Sequence, residues 1–359
     1  MKRIAILLLT VLTVTAHGQS QSDKEKAYEL GEKAVQQMDA GQIKEALDLL
    51  EEAHKLDPEN MNYPYETAYA HYLNKDYKSG IKVLKKLTKH NQVNDRVWQM
   101  LGNCYDMNKD PEQAIKTYEK GLTHFPNSGS LYLERGNMEL LKKEYDNALG
   151  YYEQGIKVDP AFPSNYYWAT RIHISFTEKV WGMLYGELFI NLERNSGRTA
   201  EISKLLYDTY KSEITFTSDT SASVSFCQNM TITIGDLSDP NNFKLPFCMV
   251  YEPTLLLAVQ TAGTIDLNSL DKIRTTFVKN YYSMGHSKTH PNALFEYQKE
   301  ILENGHFKAY NHWILMKGDE AAFLVWQENN KDKWDNFVNW FSENPIELST
   351  ENQFYSGQY

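Results

Sequence analysis

The sequence predicts an all-α-dominated protein, with repeated antiparallel helix pairs first and a mostly helical part with a small β element after them. Three observations carry this prediction. Residue types recur at intervals of 34 between about 25 and 160, prolines close three of the four frames at one phase, and β-branched alternation begins only at Ile214. A chain of 359 residues is long enough for two or three domains with a sizeable core. Its formal net charge of −10 leaves no basic surplus to displace phosphate counterions, which excludes a nucleic-acid binder of the usual electrostatic kind. The 24 tyrosines point to extended packed or contact surfaces.

The repeat is clearest where Trp98, Leu101, Gly102 and Tyr105 form a WxxLGxxY run, followed by Ala114, Tyr118, Gly121 and Pro126. Thirty-four residues on, the same places hold Tyr132, Gly136, Ala148, Tyr152, Gly155 and Pro160. Sixty-eight residues back they hold Leu30, Ala34, Ala46, Leu50, Ala53 and Pro58. The intermediate frame keeps Ala68, Gly80, Leu84 and Leu87 but has no closing proline. Small residues let two helices approach closely, and bulky ones fill the space between neighbouring pairs. Proline ends the second helix of a pair because it lacks an N–H and clashes with the preceding turn. Asp39-Ala40-Gly41, Asn74-Lys75-Asp76 and Asn108-Lys109-Asp110 supply turns between helices.

On these residues the chain resembles the tetratricopeptide repeat (TPR) family over about residues 25–160, in four repeats. The third and fourth repeats match best, and the second is degenerate. The resemblance implies an α-α superhelix whose concave face is lined by the first helix of each pair and commonly holds a peptide or a partner protein. Projected onto this chain, that face comprises Tyr65, Tyr69, Tyr72, Arg96, Gln99, Asn103, Asn137, Tyr167 and Arg171. Asn103, Asn137 and Arg171 share one repeat position, so they form a ladder suited to hydrogen-bonding an extended backbone, with the tyrosines adding apolar contact. Asparagine at that place can equally bridge adjacent helices. Family members that grip a C-terminal carboxylate do so with several basic residues, which this set lacks.

A drifted fifth frame starts near 163, with Tyr166, Ala169 and Gly182 in place but Thr170 and Gly186 out of pattern. Helices are expected at about 164–176 and 178–194, with Gly182 and Gly186 pressed against a neighbour. A helix from Arg198 to Lys211 is expected to cap the array. The array thus runs over 22–195, with clear repeats to 160 and the divergent pair and cap to about 212. A mostly helical domain follows over 213–359. Its strands are expected at 214–217, 223–226 and from Met230 to Ile234. Its helices are expected at about 251–262, 268–283, 292–304 and 318–342.

Residues 1–18 read as a secretory signal: Lys2 and Arg3, an apolar run from Ile4 to Val14, then Ala16-His17-Gly18. No stable membrane span is expected after its cleavage. In an exported chain, Cys227 and Cys248, 21 residues apart, are the candidate disulfide, worth about 3 kcal/mol. The alternative is three buried free thiols, Cys104 included.

No phosphate loop, no GxSxG and no HExxH occurs, so no catalytic residue, metal site or cofactor is expected. His286 and His290 stand four apart but are bracketed by Gly285 and Pro291, which favours a loop over a ligating helix face. Trp313, Trp326, Trp334 and Trp340 fall with Phe323, Phe337 and Phe341 at helical spacing, as on a helix packed against a core. Lys82, Lys85 and Lys86 read as a solvated helix face. The function expected is noncatalytic scaffolding of a protein or peptide in a cell envelope, periplasmic or extracellular. One rival is an enzyme or small-ligand binder with its site in 214–350. The other is self-association, with the groove filled by a second copy or by the tail Thr350–Tyr359.

Overall fold

The computed structural model describes residues 21–176, 178–218, 221–227 and 245–358. The leader expected at 1–18 and the strand expected at Met230–Ile234 lie outside the described residues. Five helix pairs open the chain: α1 (Gln21–Asp39) with α2 (Ile43–Leu56), α3 (Asn62–Leu73) with α4 (Tyr77–Leu87), α5 (Asp95–Met107) with α6 (Pro111–His124), α7 (Gly129–Leu141) with α8 (Tyr145–Val158), and α9 (Pro163–Ser175) with α10 (Lys179–Leu192).

The turn between the helices of a pair is built one way in the first four. Gly41, Lys75, Lys109 and Lys143, spaced by 34, sit at φ of 76°, 60°, 65° and 63°. Each N–H at this place bonds back three residues (Lys109 N to Asp106 O, 2.8 Å), and the next one bonds back five (Asp110 N to Tyr105 O, 3.0 Å). This is the Schellman ending, which satisfies carbonyls that the helix leaves open. The aspartate of Asn-Lys-Asp then starts the next helix: Ser79 N donates to Asp76 Oδ1 at 3.2 Å and Gln113 N to Asp110 Oδ1 at 3.2 Å.

Two compact units emerge, one through Ala114 and one from Ile115, so the division falls inside α6. In the first, α1–α3 bury Ala27, Ala34, Leu50 and Tyr63, and α3–α5 bury Ala68, Leu84, Leu101 and Cys104. In the second, one apolar core runs from Leu133 to Phe354. It does not break near 213, where the sequence texture changes.

The reason lies in α10, whose residues are buried without interruption from Val180 to Asn191. A helix apolar all round must be covered on every side. α9 packs at Gly182, where a Cβ would come within 2.5 Å of Ile174, and α11 (Gly197–Glu213) packs at Gly186, against Leu206 and Ile202. Later elements complete the cover, so α11 is an interior layer rather than a terminal cap. The hairpin β1 (Ile214–Ser218) and β2 (Ser221–Val224) is antiparallel with Ile214 opposite Val224, and Val180 N then donates to Phe226 O at 3.2 Å. That contact and the Glu178–Cys227 β-bridge tie the start of α10 to the segment after the hairpin.

The remaining helices are α12 (Phe247–Val259), α13 (Leu267–Ser283), the single turn α14 (His286–Thr289), α15 (Ala293–Glu303), α16 (Phe307–Leu315), α17 (Glu320–Asn329) and α18 (Lys331–Glu343). Of these, α16 was not expected: every residue but Lys308 is buried, so no amphipathic stripe marks it. The single helix expected over 318–342 breaks at Asn330, whose Nδ2 donates to Trp326 O at 2.8 Å. Cys227 and Cys248 are joined by a disulfide, and Cys104 is a buried free thiol. No helix among the described residues is long and apolar enough to cross a membrane.

Candidate partner-binding face

In the first unit, Tyr65, Tyr69 and Tyr72 lie three or four residues apart on α3, and Arg96, Gln99 and Asn103 do so on α5, so each set shares one helix face. The Arg96 guanidinium stands 4.8 Å over the Tyr65 ring. Burial raises the Tyr65 hydroxyl above its ordinary value, with Arg96 pulling it back. Burial also raises the carboxyl of Glu66, again opposed by Arg96. Tyr69 and Leu73 remain 36% and 40% exposed, which leaves apolar surface in the open on this helix. Gln99 and Asn103 are half-buried. An aromatic surface beside a stacked cation and two amides can hold apolar side chains and hydrogen-bond a peptide backbone.

The other three expected residues belong to the second unit and are used internally. Asn137 Oδ1 accepts from the Tyr152 hydroxyl at 2.9 Å, and its Nδ2 donates to Glu134 at 3.1 Å. A Cβ on neighbouring Gly136 would sit 2.5 Å from the Tyr152 ring, so the pair locks α7 onto α8. Asn137 therefore bridges adjacent helices, the second of the two roles its position allowed. Tyr167 is buried, its hydroxyl donating to Glu201 of α11 at 2.8 Å with Arg198 5.0 Å over the ring. Arg171 reaches Tyr167 Oη at 3.2 Å and Glu201 at 3.5 Å, and lies 4.9 Å over Trp168. Helix α11 thus covers Tyr167, one of the α9 positions that the repeat frame projected as open groove, while the Arg171 side chain stays 42% exposed.

The tail is seated elsewhere than in the groove where the self-association rival would put it. Phe354 is buried against Trp181 and Phe247, and Ser356 donates its backbone N–H to Tyr185 Oη at 2.8 Å and its hydroxyl to Glu153. Glu153 is on α8 and Tyr185 on α10, so the tail rests on second helices of pairs, not on the face formed by first helices. Burial alone would raise the Glu153 carboxyl, but hydrogen bonds with His173, Ser356 and Tyr185 outweigh it and hold the group below the ordinary value.

Sequence reasoning also missed a buried charge pair. Arg274 of α13 donates to both Glu187 oxygens, at 2.6 and 2.8 Å, and Gln298 and the Tyr310 hydroxyl donate to Oε1 at 2.6 and 2.8 Å. Arg274 Nε donates to Asn311 Oδ1 at 2.7 Å. The free space there is about 20 Å³, room for about one water. Every group is satisfied, so the cluster holds elements together and leaves no space for a substrate. A lone glutamate inside the apolar run Val180–Asn191 was the sequence signal for it.

The remaining candidates are structural in placement. His290 is buried with Nε2 2.7 Å from Leu245 O, and His312 stacks 4.1 Å from Trp326. His286 starts the short α14 rather than a loop. Trp313 and Trp326 are buried, and Trp334 and Trp340 are half-buried against the core. Glu178 gathers with Cys227 and Cys248 within metal-ligand reach, but the two sulfurs are bonded to each other.

Family models of the tetratricopeptide repeat match residues 37–104 and 95–128. Residues 37–128 are thus tetratricopeptide repeats. The chain is also similar to solved structures. One is a thermophilic TPR protein of Thermus thermophilus, 17% identical over 50% of this chain and 98% of that one, TM-score 0.41. Another is PilF of Pseudomonas aeruginosa, 18% identical over 53% and 86%, TM-score 0.43. A third is YrrB, described as a TPR protein with an unusual peptide-binding site, 16% identical over 49% and 91%, TM-score 0.33. No curated protein matches the sequence. The helix-pair repeats, the mostly helical remainder and the small sheet are the fold class that the sequence predicts for this TPR chain.

Proposed function

We propose that this TPR protein is a noncatalytic scaffold that holds a peptide or protein partner on the α3–α5 face of its first unit. The observation that carries the reading is the Tyr65–Arg96 stack flanked by exposed Tyr69 and Leu73. These groups offer stiff apolar area at low entropic cost beside amides able to set register. The chain is further proposed to be exported and to work in the periplasm or outside the cell. The positive and apolar run at 2–14 supports this, as does the Cys227–Cys248 disulfide, a bond that persists in oxidising compartments.

The test is affinity capture from envelope extract with the exported form of the chain and with a Tyr69→Ala/Arg96→Glu variant of unchanged circular dichroism. A partner retained by the native chain and lost by the variant supports the face. Equal capture by both places the partner elsewhere and overturns it. Fractionation of producing cells tests export, with recovery in the cytoplasm refuting it.

A further inference from the structure

A hollow of about 490 Å³ opens in the first unit between α2 and α4, with Pro64, Thr67 and His71 of α3 on its wall, a set of α3 positions different from Tyr65, Tyr69 and Tyr72. Its apolar lining is Leu47, Leu50, Met61, Val83 and Leu87. The degenerate second repeat explains it: α4 stops at Leu87 after eleven residues, and no proline-closed turn follows to fill the space.

The polar lining is Lys86, Glu51, Thr67 and three imidazoles, of which His71 lies 3.4 Å from Asp76. Lys86 and the imidazoles of His54, His71 and His90 surround the hollow, and the one carboxylate lining it, Glu51, is paired with Lys55 at 2.5 Å. Behind Lys86 runs an entirely basic stretch. Residues 77–94 contain Lys78, Lys82, Lys85, Lys86 and Lys89 and no acidic residue, in a chain of net charge −10. From Lys78 to Lys86 these charges spread along about 12 Å of helix, and Lys89 follows just past its end. A ligand with a single head group would meet one of them; a chain with carboxylates at intervals meets several.

We propose that this hollow is a second docking site, for an acidic amphipathic peptide segment. The segment seats two or three apolar side chains over Leu47 and Val83, and its carboxylates face Lys82 and Lys86, one helical turn apart. The site is independent of the α3–α5 face and adds a second partner contact to the scaffold.

The probe is a labelled peptide of about fifteen residues with leucines at three- and four-residue spacing and glutamates elsewhere, titrated by fluorescence anisotropy onto the full chain. Lys82→Glu/Lys86→Glu, an exposed pair, is expected to weaken it at least about tenfold. Val83→Trp, which fills the hollow, is expected to abolish binding. Tyr69→Ala/Arg96→Glu is expected to leave it unchanged, which separates this site from the proposed face. Equal binding of a peptide with lysine in place of glutamate overturns the proposal, as does insensitivity to the lysine reversal. Displacement of the peptide by laurate with the same variant dependence also overturns it, since the hollow then holds a small amphiphile.

Discussion

Lys75, Lys109 and Lys143 hold a left-handed backbone conformation that costs an L-residue roughly 1–2 kcal/mol. Gly41 fills the same place in the first pair without that cost. Lys109→Gly is therefore expected to stabilise the chain by about 0.5–1 kcal/mol, part of the relief being offset by a more flexible unfolded state. A rise in the urea midpoint at unchanged m-value is the check. Glu187 acts in the opposite sense. Glu187→Ala leaves the Arg274 guanidinium buried without its carboxylate and is expected to cost about 3–5 kcal/mol, read in the same denaturation experiment. Of the projected face, Tyr65, Tyr69 and Tyr72 lie on α3 and Arg96, Gln99 and Asn103 on α5, each set at helical spacing. The projection did not foresee the burial of Tyr167 against α11, because a repeat frame carries no information about what a later helix lays over it.

Among the elements, those with a stripe were legible and those without were not. The paired helices announced themselves through small and bulky residues at fixed phase, and α13 and α15 through ordinary amphipathic spacing. α16 stayed hidden because nearly all of it is inside, and the break at Asn330 because a side-chain amide can end one helix where the apolar periodicity runs on. The C-terminal tail is the element whose docking titrates. Glu153 is held below its ordinary value near 4.5, so its contribution is complete above that value and disappears as pH falls through the lower folded value. Hydrogen exchange at the Ser356 amide, which donates to Tyr185, is expected to lose protection on going from about pH 6 to about pH 3.5, after correction for intrinsic rates. Glu153→Gln is expected to flatten that dependence.

At the scale of the whole molecule, the disulfide fastens the segment after the hairpin to the start of α12 across a loop closed by residues 21 apart. Replacing both cysteines by serine is expected to destabilise the second unit by about 3 kcal/mol while leaving probes in the first unit, such as Trp98, unchanged. Tryptophan fluorescence of single-tryptophan variants during urea unfolding distinguishes the two. The buried pair on α10 also has a consequence for biosynthesis. Glu187 waits for partners 87, 111 and 123 residues further along the chain. At about 5–20 residues per second, some 6–25 seconds of translation separate the emergence of this carboxylate from that of its last donor. The first repeats can close locally as they leave the ribosome, whereas α10 must wait until α16 has emerged. During that interval the apolar surface of α10 lacks the elements that later cover it, so aggregation of the nascent chain is expected to centre on this one helix.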